Sequence, residues 1–309
     1  LPSHITQRFS GSDVSGVCRY YKHQAGAIKA LVAGIFLPGD GQHGMSFTTF
    51  LGFLGGIILF VGSILLATNN ILLFVSVSSL LLVVGGTLAA TFIGQEARYV
   101  MLALKGIGST FSVQRVNRNI LNQEVGRILR WGYLVQEQGF LPLEDEIKKV
   151  SSDPFLVFGV ELLITGYDGA DVRETLENVN DRTFERNMVP VNILRSMGST
   201  APAFGMIGTL VGLIVMLDAM GGDPTQLGPG LAVALNTTLY GVLFARMILI
   251  PAANKLQQRE EILRFRHEMV IEGFALLAEK RSPRYIQDRV NSFLDPAIRF
   301  NIDQQMKRD

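Results

Sequence analysis

The chain has 309 residues and a formal net charge of +1, with 48% hydrophobic and only 18% charged residues. That balance excludes an ordinary soluble domain and a polybasic nucleic-acid binder, and it points to a membrane protein. The single cysteine, Cys18, excludes an internal disulfide framework.

Residues 1–44 hold three of the four histidines and the lone cysteine, with no clear periodicity. They are expected to be a non-native or disordered N-terminal extension ahead of Met45. From Ser46 to Ala67 the sequence carries no charge, and a second uncharged run continues from Ile71 to Gly94. A bilayer core of about 30 Å needs roughly 20 apolar residues in a helix, so residues 45–94 are predicted to form a transmembrane hairpin. Residues 95–195 are predicted to form a helical domain. Ile120, Leu121, Ile128, Leu129, Trp131, Leu134 and Val135 recur at helical spacing, Gly139 and Pro142 break the pattern, and two helices flank a turn at Gly166–Gly169, where Asp168 or Asp171 can cap the second. Residues 196–251 are predicted to form a second transmembrane hairpin, and residues 252–309 an amphipathic helical tail. The expected fold is thus all-α, a polytopic membrane protein with four transmembrane helices. No lysine or arginine lies in either hairpin loop, which places both termini and the middle domain in the cytoplasm.

No catalytic motif is present. His267-Glu268-Met269-Val270-Ile271 lacks the second histidine of a zinc protease, and there is no phosphate-binding loop, nucleophile elbow or metal-spaced Cys/His cluster. An enzyme is not expected, nor are a metal, a cofactor or a nucleic-acid partner. The four spans contain no Asp, Glu, Lys or His apart from their ends, and Arg246 stands near the end of the fourth. Proton movement through a membrane normally uses an ionisable group inside the bundle, so any titrating carboxylate must come from another chain.

The third span, TAPAFGMIGTLVGLIVML, is interrupted by Pro202, Gly205, Gly208, Thr209 and Gly212. The fourth carries a similar stripe at Gly230, Ala234, Thr238, Gly241 and Ala245. Small residues let membrane helices approach closely, so Gly205, Gly208, Gly212, Ala234 and Gly241 are expected to form a groove for another helix, with Thr209 and Thr238 as its polar points. The bland alternatives are an ordinary packing face, threonines bonded to their own backbone, and a Pro202 that merely starts its helix.

APAFGMIGTLVGLIVML followed by DPTQLGPGLAVALNTTLYGVLFARMILIPAANKL resembles the MotA/PomA stator subunits of the bacterial flagellar motor. VGSILL and LLVVGGTLAATFI resemble the family's first hairpin, and GFLPLEDEI and GYDGADVRETLE its cytoplasmic segment. The resemblance implies an inner-membrane homopentamer around a MotB/PomB-type partner that supplies an ion-binding aspartate, acting on the rotor protein FliG. It implies Pro202 and Pro251 as coupling prolines, Thr209 and Thr238 beside the ion path, and Glu144 as a rotor-facing acid. Gln136 stands where the family has a basic rotor-facing residue, and Arg127 and Arg130 are expected to substitute for it. Sodium is favoured over protons as the coupling ion because of Thr209. An energiser of the ExbB/TolQ type is the alternative reading, and a passive structural assembly is the other.

Overall fold

The computed structural model describes residues 47–68, 71–110, 118–219 and 227–294. The expected extension over 1–44, residues 220–226 and the last part of the expected tail lie outside the described residues. Every regular element among them is helical: α1 (Phe47–Ala67), a short tight turn (Ile71–Phe74), α2 (Val77–Gly94), α3 (Ala97–Ser109), α4 (Arg118–Gln138), α5 (Leu143–Lys149), α6 (Pro154–Thr165), α7 (Gly169–Ala219), α8 (Leu227–Leu243), α9 (Ile250–Ala278) and α10 (Pro283–Asn291).

Three helical stretches are long and apolar enough to cross a membrane: Val77–Gly94, Gly169–Asp218 and Gly230–Ala278. The first expected span corresponds to α1, whose apolar stretch among the described residues, Leu51–Leu66, is shorter. Exposed side chains such as Leu66, Ile93, Leu210 and Ile214 would be costly against water and suit lipid or a partner helix.

The main departure from the sequence reading is the length of α7. Its 51 residues run without interruption through the expected boundary at Arg195, and Pro190 and Pro202 both lie inside it. Pro202 therefore does not start a helix. At 1.5 Å per residue α7 is about 77 Å long, more than twice a bilayer core. The tail likewise does not begin a separate helix: α8 passes into α9 through a widened π turn, Phe244–Leu249. The two form a long antiparallel pair with α7, and partner positions fall along one helix as they rise along the other.

Local chemistry explains the other helix ends. Gly139 and Gly166 adopt φ of +81° and +92°, a region only glycine enters freely, and they follow the ends of α4 and α6. Asp153 caps α6 through the Phe155 and Leu156 amides, and Asp168 caps α7 by accepting from the Asp171 amide at 2.8 Å. Two apolar cores result. One lies where the first α7 proline-flanked segment meets α3 and α9, around Val191, Leu194, Met197, Ala201, Leu249 and Ala253. The other packs Trp131 on Phe274, with ring centroids 5.8 Å apart.

Candidate functional site: the α7–α8 crossing and its charged extension

The small residues of α7 and α8 meet each other. A Cβ added at Gly241 would lie 2.7 Å from the Ala201 carbonyl oxygen and 3.2 Å from the Cα atoms of Gly205 and Pro202. At Gly212 an added Cβ would stand 2.8 Å from Cβ of Ala234 and 3.0 Å from its backbone nitrogen. The groove expected over Gly205, Gly208, Gly212, Ala234 and Gly241 is thus filled from within the chain. Gly208 faces Thr237 and Leu82 of α2. The helices approach to backbone contact because no side chain separates them, which is how helices associate in a solvent that gives no hydrophobic drive.

Thr209 and Thr238 come together at this crossing, their hydroxyl oxygens 2.5 Å apart. Thr209 Oγ1 also lies 3.0 Å from the Ala234 carbonyl and 3.2 Å from that of Gly205. Thr238 Oγ1 lies 3.4 Å from the Gly205 carbonyl. Two hydroxyls carry two protons, so Thr238 donating to Thr209, and Thr209 to Ala234, satisfies both. The result is a cluster of four oxygens in an apolar helix pair, half-buried and rich in acceptors.

The two sequence-selected prolines lie at one end of the same crossing. The Pro202 backbone touches Gly241, as above. Pro251 is the second residue of α9, two residues past the π turn that Ile250 closes by donating to Ala245, five residues back. A proline has no N–H and its ring collides with the carbonyl four residues before it; the wider turn relieves that collision. Each proline sits where the apolar half of the hairpin meets the charged half.

Below the crossing the same pair is joined by polar contacts. Arg195 donates to Gln257, Asn187 to Glu260 at 2.8 Å, and Arg264 to Asp181 at 2.9 Å. His267 Nδ1 meets Asn180 at 3.0 Å, and Arg173 pairs with Glu272. Glu272 also accepts from Arg289 of α10 at 2.7 Å. Burial works against its charge, but the bonds from Arg173 and Arg289 outweigh that and hold its carboxyl below the usual range.

Sequence reasoning missed the centre of this region. Arg266, 7% exposed, donates to Glu124 of α4 at 2.6 Å and to the α6 cap Asp153 at 2.5 Å. Burial opposes the guanidinium charge, and Glu124 and Asp153 more than offset it. His267 beside it stacks on Phe155 with centroids 3.9 Å apart, and burial pushes its pKa down to about 4. The expected charged face of the tail is therefore partly an interior. Of the expected rotor-facing residues, Glu144 and Arg130 are exposed, whereas Arg127 is half-buried and pairs with Glu124 at 3.0 Å.

The MotA/TolQ/ExbB proton channel family profile matches residues 148–269, from the end of α5 through most of α9. The chain is 33% identical to the chemotaxis protein PomA of Vibrio alginolyticus over 82% of this chain and 98% of that protein. It is also 33% identical to motility protein A of Cereibacter sphaeroides, over 85% and 99%. The flagellar MotAB stator complex of Bacillus subtilis contains a chain of the same fold, with a TM-score of 0.73 over 82% of this chain and 98% of that one, at 22% identity. A membrane location follows from the apolar helices and the family together. With relatives at 33% identity matched over nearly their whole length, the chain belongs to the MotA/PomA family of stator ion-channel subunits.

Proposed function

We propose that the chain is the channel-wall subunit of a flagellar stator, which couples ion flow to torque on the rotor in complex with a MotB/PomB-type partner. Near-full-length similarity to PomA carries this reading and favours it over an energiser of the ExbB/TolQ type, since the broader family includes both. The spans supply no carboxylate, so the ion-binding aspartate comes from the partner's membrane helix. In this reading the chain crosses the inner membrane four times, with α1 as the first span and both termini cytoplasmic, and several copies, most simply five, surround the partner. Pro202 and Pro251 transmit the ion-driven change from the crossing to the charged half, and Glu144, with Arg127 and Arg130, addresses the FliG rotor protein.

Sodium is the coupling ion. Sodium must exchange its water for several oxygens, and the Thr209–Thr238 pair with the Gly205 and Ala234 carbonyls offers them. The test is co-expression with a MotB/PomB-type partner in cells lacking stators. Swimming is expected, and Thr209→Ala should slow it more at low than at high sodium, with membrane voltage held constant. Swimming that ignores sodium and stops with a proton uncoupler would contradict the sodium assignment; no swimming with any such partner would contradict the stator reading.

A further inference from the structure

A second polar site lies away from the crossing, in a cleft of about 370 Å³ between α3, α7 and α9. It starts just beyond the apolar spans: Arg98, on its wall, is four residues past the end of α2, and α3 runs on from there beside α7. Leu102, Val191 and Leu256 give the cleft an apolar floor, and Arg98 and Arg186 supply two guanidinium groups at its rim. Among the described residues neither guanidinium has a hydrogen-bond or ion-pair partner, in contrast to Arg173, Arg195, Arg264 and Arg266 of the same helix pair. The acidic group of the cleft, Glu260, is already engaged by the Asn187 amide at 2.8 Å. Pro190 also lines the cleft, and because it has no N–H the Arg186 carbonyl loses its usual helical donor four residues on.

We propose that this cleft binds the head of an anionic, hydroxylated phospholipid at the membrane boundary. The apolar floor takes glycerol and the start of an acyl chain. The two arginines take the phosphate, which guanidinium recognises through paired N–H donors. The Glu260 carboxylate and the Arg186 carbonyl accept from headgroup hydroxyls. Inorganic phosphate satisfies only the arginines and leaves the floor uncovered, so the amphiphile is the better occupant. Bound there, a lipid joins α3 to the α7–α9 pair in its charged half.

The test uses the detergent-purified complex of the full chain with its partner, titrated with phosphatidylglycerol and followed by native mass spectrometry. The R98A/R186A double variant should weaken phosphatidylglycerol binding by about tenfold or more, as loss of two charge-assisted contacts implies. Both side chains are exposed, so the fold should survive. R182A, which removes an arginine from an exposed pair with Glu185, should leave binding unchanged. Equal retention in the double variant, or equal loss in R182A, would overturn the site. Phosphatidylcholine binding as tightly as phosphatidylglycerol in the unsubstituted complex would overturn the headgroup choice, and displacement by millimolar inorganic phosphate would show a soluble-anion site instead.

Discussion

The two halves of the α7–α8/α9 pair solve one packing problem with opposite chemistry. In the apolar half, contact is made by what is absent: Gly241, Gly205 and Gly212 have no side chain to hold the helices apart. In the charged half, contact is made by polar pairs and by buried Arg266, which is held between two carboxylates. Lipid offers no hydrophobic gain, so the first half depends on surface fit. Water does, so the second half buries charge where carboxylates face it, as Glu124 and Asp153 face the Arg266 Nη2 group, although the Arg266 Nε has no hydrogen-bond partner among the described residues. One continuous helix pair thus contains a tightly fitted segment and an ion-paired segment, and prolines stand at the change.

The contrast breaks most severely at Arg266. Arg266→Met should destabilise the charged half by about 3 kcal/mol, because buried Glu124 is left with Arg127 alone and half-buried Asp153 loses its cation. Thermal unfolding of the purified complex measures this, and adding Glu124→Gln should recover part of the loss if the pair is coupled.

His267 gives the same half a pH dependence. Its pKa is depressed from 6.5 to about 4 by burial, so the folded state favours the neutral ring. The associated stability is present above pH about 6.5 and is lost as pH falls toward about 4, in total about 3 kcal/mol as an order of magnitude. Unfolding measured between pH 7 and 4 should show this slope, and His267→Gln should flatten it. A slope unchanged in the variant would assign it to other groups.

Gly241→Val tests the apolar half. Its Cβ would press on the Ala201 carbonyl, a backbone atom that cannot rotate away, and the expected cost is about 1–3 kcal/mol. The loss should appear as weaker packing of the spans with the His267 pH slope intact, and a simultaneous change in that slope would show that the halves are not separable.

Much of this architecture is legible in the sequence because its signals are local. The apolar runs, the glycine stripes, the Gly139 and Gly166 breaks and the Asp168 cap each depend on residues a few positions apart. Thr209 and Thr238 are readable because both stripes follow a helical period. The continuity of α7 is not readable in the same way: the change from charged to apolar at Arg195 marks a change of surroundings, and a helix backbone takes no notice of it. The Arg266 cluster is further from reach, since Glu124 and Asp153 are 142 and 113 positions away and arrive on separate elements. In a single amphipathic tail, Arg266 and Glu272 read as solvated charges.

The central claim is that the fitted apolar half and the charged half act as one element, coupled through the prolines at their junction. Pro202→Leu tests it most directly, since leucine restores the helical donor to Gly198 at the point where α7 touches Gly241. Rotation of tethered cells co-expressing the variant with the MotB/PomB-type partner is the measurement. The account predicts that Pro202→Leu reaches the membrane and co-purifies with the partner but drives no rotation. Rotation at the unsubstituted speed would contradict it.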